Sequence, residues 1–193
     1  MSALSDVMRL VFSGQKLQKS MRTSLMAFGC KPKKPKSILP GDKRKISLLN
    51  SDFKTSTGLE ATMLKDTATH TLCPLQLGAG SDRRIHHGIN QARNAIFAAS
   101  KAGHAGCGIL DTDLIAAFDF LFMDGVFMVL EKKGLAMEVI KRLKNMYSDS
   151  LTIVMVNNIP GKTVVNTRQS LRQGDLPSMH FFSFGIYPLL LYL

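Results

Sequence analysis

The order of secondary-structure patterns along the chain is the feature that most constrains its fold. A helical segment is followed by a short apolar run typical of a strand, two more helices, a β-branched hairpin and a final apolar helix. No strand-helix unit repeats in this order, so an α+β layered arrangement is favoured over a doubly wound sheet. At 193 residues, 45% of them hydrophobic, the chain is long enough to bury a core.

Individual elements are predicted from apolar spacing and from residues that begin or end helices and turns. Ile85, Ile89 and Ile96 recur at helical spacing, and Ser81 or Asp82 could cap that helix. The predicted elements are helical segments at 4–26, 52–70, 85–103, 121–133 and 137–147, a strand or turn at 45–49, a buried strand at 106–114, hairpin strands at 151–156 and 163–167 with a Pro-Gly turn between them, and a final core helix opened by Asp175 or Ser178.

Three carboxylates crowd the end of the predicted buried strand. Asp111 and Asp113 lie within this strand, and Asp119 follows shortly after. Buried carboxylates need a partner, and Mg²⁺ held by one or two carboxylates, substrate phosphates and water is one such partner. The alternative is that Asp111 and Asp119 are solvated or capping groups beside the strand. Spacing alone leaves both interpretations open.

A second segment, at 170–178, has residues suited to an anion. Arg172 and Gln173 supply hydrogen-bond donors, Gly174 permits close approach of a ligand, and a helix start follows. The alternative is an ordinary loop in which Asp175 or Ser178 caps the final helix. Taken by itself, the segment is a weak phosphate-binding signal.

The distribution of charge indicates a polyanionic partner. The net charge is +11, and residues 1–54 carry 12 Lys and Arg against 3 Asp. A phosphate backbone is therefore expected to dock on this front segment. The loop at 31–36 contains four lysines and two prolines, although each lysine by itself could be an ordinary solvated side chain.

Cysteine spacing and the apolar segments indicate where in the cell the protein is expected. Cys30, Cys73 and Cys107 are too far apart for a zinc motif or a disulfide framework, and an intracellular location, in nucleus or cytoplasm, is expected. No signal peptide is evident. The apolar stretch from Met179 onward is about 15 residues long, whereas a bilayer crossing needs about 20, so no membrane partner is expected.

Two motifs in the second half of the chain resemble the reverse transcriptase domain of non-LTR (LINE-type) retrotransposons. Asp113 followed after three residues by Ala117-Phe118-Asp119 is similar to the first palm motif of that family. The run at 172–175 with Ser178 resembles the signature Arg-Gln-Gly-Asp-Pro-Leu-Ser, with the Leu and Pro exchanged at 176 and 177. This signature is highly specific.

Two further motifs in the first half extend the resemblance over about residues 15–193. The run Arg44-Lys45-Ile46-Ser47-Leu48-Leu49-Asn50 is similar to the finger motif Arg-Pro-Ile-Ser-Leu-Leu-Asn, with lysine where proline is usual. Gln76, Gly80 and Arg84-Ile85 resemble the next finger motif. All of the motifs occur in the order that the family shows.

The resemblance implies a partial polymerase right hand, with a basic N-terminal and fingers region at 1–104 and an incomplete palm at 105–193. It implies RNA-directed DNA polymerase chemistry with Mg²⁺, in which Asp113 is the catalytic carboxylate and metal ligand. Phe118 would exclude a ribose 2′-hydroxyl, with a simple core aromatic as the alternative. The implied deoxynucleoside triphosphate contacts are Arg44, Phe118, Gln173 and Gly174, and the implied contacts to the backbone of the RNA template and DNA primer are Lys31, Lys33, Lys34 and Arg84.

The family's paired-aspartate motif, which should follow the final helix, does not occur before Leu193. Two-metal transfer would then lack its principal remaining carboxylates, so the chain is expected to be inactive alone. Two alternatives stay open. One is a nucleic-acid-binding protein without chemistry, and the other is an unselected retrotransposon remnant.

Overall fold

The structure, a computed structural model, is an α+β fold, as predicted from the order of elements. It describes residues 3–32, 35–102, 108–167 and 170–191. The elements in these residues are the helices α1 (Ala3–Phe12), α2 (Lys19–Arg22), α3 (Ser51–Thr71), α4 (Ile85–Lys101), α5 (Ala117–Phe120), α6 (Met123–Lys132), α7 (Met137–Tyr147) and α8 (Ser178–Leu190), and the strands β1 (Thr23–Cys30), β2 (Lys43–Leu48), β3 (Leu151–Val156) and β4 (Ile159–Asn166).

The four described strands form one mixed sheet in the order β2-β1-β3-β4. β1 is antiparallel to β2, with Phe28 opposite Lys45, and parallel to β3, with Thr23 opposite Leu151. β3 and β4 form the predicted hairpin. The sheet therefore joins strands from both sides of the predicted boundary at residue 104.

The main core lies between α3, α6, α7 and α8. Leu64, Leu130, Leu143 and Phe181 come from these four helices and are fully buried. A second cluster around Phe53 packs α1, α2 and the start of α3 together. Burial of such aliphatic and aromatic side chains is the main term that stabilises the fold.

Several local predictions are confirmed. The helix predicted at 137–147 is α7, and its predicted apolar side is buried at Ile140, Leu143 and Met146. Gly134 follows α6 with a φ of 84°, the left-handed conformation that suits a glycine after a helix. The helix predicted at 52–70 is α3, but the expectation that Asp52 caps it is wrong. The helix begins at Ser51, and its cap is Asn50, whose side chain accepts a hydrogen bond from the Asp52 N–H at 2.8 Å.

The prediction of one helical segment at 4–26 is wrong in its second half. After α1 and α2 the chain becomes strand β1, which pairs with β2 on one edge and β3 on the other. Backbone hydrogen bonds to two neighbouring strands outweigh a weak local helix preference. Those neighbours are distant in sequence, so the local pattern carries no sign of them.

The buried strand predicted at 106–114 is also wrong over its described part. Residues 108–114 form neither strand nor helix, and all are exposed; Leu110 is 89% exposed. Residues 106 and 107 lie outside the described residues. A strand is buried only where neighbours pair with its edges and cover its faces, and an apolar run of a few residues does not specify those neighbours.

The hairpin turn differs from the predicted Pro-Gly turn. Asn157 and Asn158 both have positive φ, of 50° and 63°, as a two-residue type I′ turn requires. Pro160 and Gly161 instead lie within β4, next to an irregularity in the β3–β4 register. β4 is an edge strand of the described sheet, and edge strands and irregular positions are where sheets tolerate proline.

Candidate functional site

One cleft of about 790 Å³ brings together segments that are far apart in the sequence. Strand β2, residues 115–120 and residues 170–173 form most of its described walls. Arg44, Phe118 and Gln173, three of the predicted nucleotide contacts, all line it. The cleft therefore unites the finger motif, the first palm motif and the Arg-Gln-Gly-Asp segment.

Backbone hydrogen bonds connect these three segments to one another. The Ser47 N–H donates to the Gln173 carbonyl at 2.7 Å, which ties β2 to the 170–173 segment. The Leu171 N–H donates to the Phe118 carbonyl at 2.8 Å, which ties the same segment to α5. Because the bonds are between main-chain groups, the arrangement does not depend on flexible side chains.

Gly174 stands at the closest approach between the 170–173 segment and β2. Its φ is 110°, and a Cβ added there would lie 3.0 Å from the Ser47 carbonyl oxygen. A side chain at this position would be strained by its backbone conformation and would also collide with β2. The close approach involves the protein's own backbone, and a contact of Gly174 with a nucleotide stays a prediction.

Phe118 borders the cleft and is also part of the core packing. Phe118 is one of the residues that line the cleft, and its side chain packs against the main core, with its ring 5.4 Å from that of Phe182. It is therefore a partly buried core aromatic that borders the cleft. Exclusion of a 2′-hydroxyl by Phe118 stays a prediction.

Alternation along β2 separates Arg44 from its neighbour Lys45. Successive side chains of a strand point to opposite faces, so Lys45 and Ser47 share one face and Arg44 lies on the other. Arg44 is exposed at the edge of the cleft, and its guanidinium has no hydrogen bond or ion pair with another described residue. A planar donor group in this position can bind a phosphate oxygen.

The cleft is strongly cationic, and it contains one ion pair among its described residues. Of the described residues that line it, Asp119 is the sole carboxylate. The Lys45 Nζ donates to the Asp119 Oδ2 at 2.8 Å, joining β2 to α5. Asp119 is therefore neither a free solvated group nor a helix cap here, and a metal contact of Asp119 stays a prediction. The cationic lining residues are Lys31, Lys43, Arg44, Lys45 and Arg172.

Arg172 and Asp175 face the protein interior, so neither is a simple solvent-facing ligand group. The Arg172 Nη2 donates to the Arg22 carbonyl at 3.0 Å, and the guanidinium lies over the Phe53 ring. The Tyr147 hydroxyl donates to Asp175 at 2.7 Å. Burial raises the pKa of Asp175 above its ordinary value and lowers the pKa of Arg172.

Neither Asp175 nor Ser178 caps the final helix through its side chain. α8 begins at Ser178, its cap position is Pro177, and no side-chain hydrogen bond is made there. The Ser178 hydroxyl instead donates to the Arg172 carbonyl at 2.8 Å. This bond fixes the turn that carries Gly174.

The described carboxylates do not fit a two-metal centre. Asp111 and Asp113 lie in the exposed segment 108–114 and do not line the cleft, while Asp119 is already paired with Lys45. No group of three His, Cys, Asp or Glu in the described ranges could hold a metal ion. Mg²⁺ and a catalytic role for Asp113 therefore stay predictions from the resemblance.

Of the four residues expected to contact a nucleic-acid backbone, the two that the structure describes, Lys31 and Arg84, do not share the cleft. Lys31 lines the cleft, and its Nζ donates to the Gly41 carbonyl at 2.9 Å. Arg84 is exposed just before α4 and does not line the cleft. Lys33 and Lys34 lie outside the described residues.

Sequence reasoning missed Lys43 and Lys45 as parts of the site. In the finger motif Lys45 stands where the family has proline, and Lys43 lies just before the motif. The strand alternation of Lys43, Lys45 and Ser47 was the available signal, because residues two apart share a face. The alternation does not say which of the two faces of β2 contacts α5.

No family model matches the chain, and no curated protein matches it significantly. The resemblance to reverse transcriptases therefore rests on the quoted motifs. Over the described ranges, no helix combines the length and the apolar character that a membrane span requires.

Proposed function

We propose that this chain is a reverse transcriptase domain of the non-LTR kind whose cleft binds a deoxynucleoside triphosphate, and that the chain does not complete nucleotidyl transfer by itself. The observation that carries the proposal is the meeting of Arg44, Phe118 and Gln173 on one cleft. These residues come from three separate motifs that are far apart in the sequence. In the proposed right hand, residues 1–104 supply the fingers and residues 105–193 part of the palm.

The chemistry of the cleft suits a nucleotide. Its volume, about 790 Å³, lies within the roughly 300–1,000 Å³ typical of small-molecule sites. Lys43 and Lys45 share one face of β2 and Arg44 lies on the other, and all three line the cleft and give it the positive charge that a triphosphate requires. The Arg44 guanidinium has a fork of donors that no other described residue engages. Phe118, which borders the cleft, is the apolar residue that the proposal assigns to the sugar.

Binding of fluorescently labelled dATP, followed by anisotropy, tests the proposal. We expect saturable binding that Arg44→Gln weakens roughly tenfold, since a charge-assisted hydrogen bond is worth about 1.5–3 kcal/mol and about 1.4 kcal/mol is a factor of ten. Lys132→Gln is the matched control, because Lys132 is exposed on α6 and does not line the cleft. Equal affinity in both variants would refute a role for Arg44.

Primer extension on an RNA template with Mg²⁺ tests the catalytic half of the proposal. We expect no extension product from this chain, because the described carboxylates form no two-metal centre. Extension by the unaltered chain that Asp113→Ala abolishes would show a complete active site. The proposal of binding without transfer would then be wrong.

A nucleic-acid-binding role without nucleotide binding is the second candidate, and the net charge of +11 favours it. The two functions differ in their competition behaviour. A single-stranded oligonucleotide bound through its backbone would show affinity that falls steeply with salt and would be displaced weakly by dATP. Mutual displacement of dATP and oligonucleotide at constant salt would place both ligands in the cleft.

A further inference from the structure

The Lys45–Asp119 ion pair lies inside the proposed nucleotide cleft. The two side chains belong to different walls, β2 and α5, and meet at 2.8 Å. Both are partly exposed, with 45% of the Lys45 and 38% of the Asp119 side chain open to solvent. A ligand that enters the cleft can therefore reach the Lys45 ammonium without a rearrangement of the core.

Both partners are held in place by the backbone. β2 is paired with β1, and the adjoining Ser47 N–H is fixed by Gln173, so the position of Lys45 along the wall is set. On the other side, the Asp119 N–H donates to the Ala116 carbonyl at 2.8 Å in the turn that opens α5. Ala116 has a φ of 52°, a left-handed conformation that few residues other than glycine adopt.

The chemistry of the pair favours exchange of its anion. An ion pair between partly exposed side chains contributes little stability, because water screens it and both side chains lose freedom. A phosphate group carries more charge than a single carboxylate and has several acceptor oxygens. Within the same cleft, a phosphate therefore attracts the Lys45 ammonium more strongly than the Asp119 carboxylate does.

We propose that Lys45 is a phosphate-binding residue of the cleft, and that Asp119 is an internal substitute anion which the ligand's phosphate displaces. The inference rests on the proposed nucleotide binding and adds Lys45 to it, a residue that stands where the family motif has proline. Displacement frees the Asp119 carboxylate from its ion pair. It also removes the salt link between β2 and α5 at the moment when the ligand bridges them.

A double-mutant cycle with dATP as the probe tests the displacement, using the full chain, Asp119→Asn, Lys45→Met and the double variant. We expect Asp119→Asn to raise dATP affinity about two- to fivefold, the worth of an exposed ion pair expressed as an affinity ratio. Lys45→Met should lower the affinity, and Asp119→Asn should then add no gain. Lys45→Arg, which keeps the charge, should retain most of the affinity.

Deoxyadenosine without phosphates is the matched ligand control, and Asp66→Asn on the exposed surface of α3 is the control for loss of one carboxylate. The displacement requires a gain for dATP and none for deoxyadenosine. If Asp119→Asn brings an equal gain with Lys45 intact and in the Lys45→Met background, Asp119 acts only as a nearby negative charge, and the inference is wrong. If the unaltered chain binds dATP and Asp119→Asn brings no gain, the inference alone fails; if none of the proteins binds dATP, the proposed function fails with it.

Discussion

The cleft and the 108–114 segment both contain residues of the reverse transcriptase motifs, yet they differ in how they are built. In the cleft, main-chain hydrogen bonds from Ser47 to Gln173 and from Leu171 to Phe118 join three distant segments. Residues 108–114, which include Asp113, are exposed and pair with no described strand. The difference indicates that the proposed nucleotide contacts are assembled by this chain's own packing, whereas the proposed metal ligand is not.

The largest expected effect is on the free energy of unfolding, and it contrasts the main core with the exposed segment 108–114. Phe181 is fully buried and meets the Tyr147 ring edge-on at 5.1 Å. Phe181→Ala should lower the free energy of unfolding by about 3–5 kcal/mol, and Leu110→Ala should change it by less than about 0.5 kcal/mol. Urea denaturation measures both. A large loss from Leu110→Ala would show that residues 108–114 are packed in solution.

A smaller effect on stability is expected at Gly174, where the 170–173 segment approaches β2 most closely. Gly174→Ala should cost about 1–3 kcal/mol for its left-handed backbone, with an added penalty from contact with the Ser47 carbonyl. It should also weaken dATP binding, because the contact displaces the 170–173 segment from β2. Gly134→Ala is the control, since Gly134 is also left-handed but has no described atom near the added Cβ.

For this pair, thermal denaturation gives the stabilities and dATP titration gives the affinities. Gly134→Ala should lose stability through its backbone alone and keep its affinity for dATP. If both alanine variants bind dATP as the unaltered chain does, the Gly174 junction does not shape the cleft.

A pH-dependent effect is expected from Asp175, whose pKa is raised by burial against the opposing influence of its Tyr147 hydrogen bond. The folded protein therefore binds this proton more tightly than the unfolded chain does. The contribution of the protonated carboxyl is fully present below the ordinary pKa of 3.8 and is lost as pH rises through the raised folded value. Asp175→Asn should remove this loss.

The measurement is the stability of Asp175→Asn minus that of the unaltered chain across pH. The difference should rise in favour of the asparagine variant as pH increases from the ordinary pKa and then level off above the folded one. Asp66→Asn corrects for the removal of one negative charge at an exposed site. A difference that falls with increasing pH would contradict the direction of the shift.

The smallest expected effect is that of Asp113→Asn on nucleotide affinity. Asp113 lies outside the cleft lining, so its replacement should change the dissociation constant for dATP by less than about twofold, or about 0.4 kcal/mol. Fluorescence anisotropy without added metal measures this directly. A loss comparable to that from Arg44→Gln would place Asp113 beside the nucleotide and remove the distinction between the two regions.

Elements with strong local signals could be predicted from the sequence. α7 follows from its apolar spacing, and the end of α6 follows from Gly134, since both depend on residues within a few positions of one another. β1 could not be predicted in this way, because it is specified by pairing of Thr23 with Leu151 and of Phe28 with Lys45. Such pairing depends on segments far along the chain.

The candidate site was predicted only in part, because some of its contacts also depend on segments far along the chain. Motif resemblance selected Arg44, Phe118 and Gln173, which the structure brings to one cleft. It did not identify Lys45 as the residue that reaches Asp119, because that contact depends on the register between β2 and β1. The inward orientation of Arg172 likewise depends on the distant Arg22 carbonyl.

Hydrogen exchange with and without saturating dATP is the most direct test of the claim that three motif segments form one nucleotide cleft. We expect added protection in β2, in α5 and at residues 170–174, with no change at 108–114. Protection confined to other parts of the chain, or no protection at a dATP concentration that saturates binding, would contradict it.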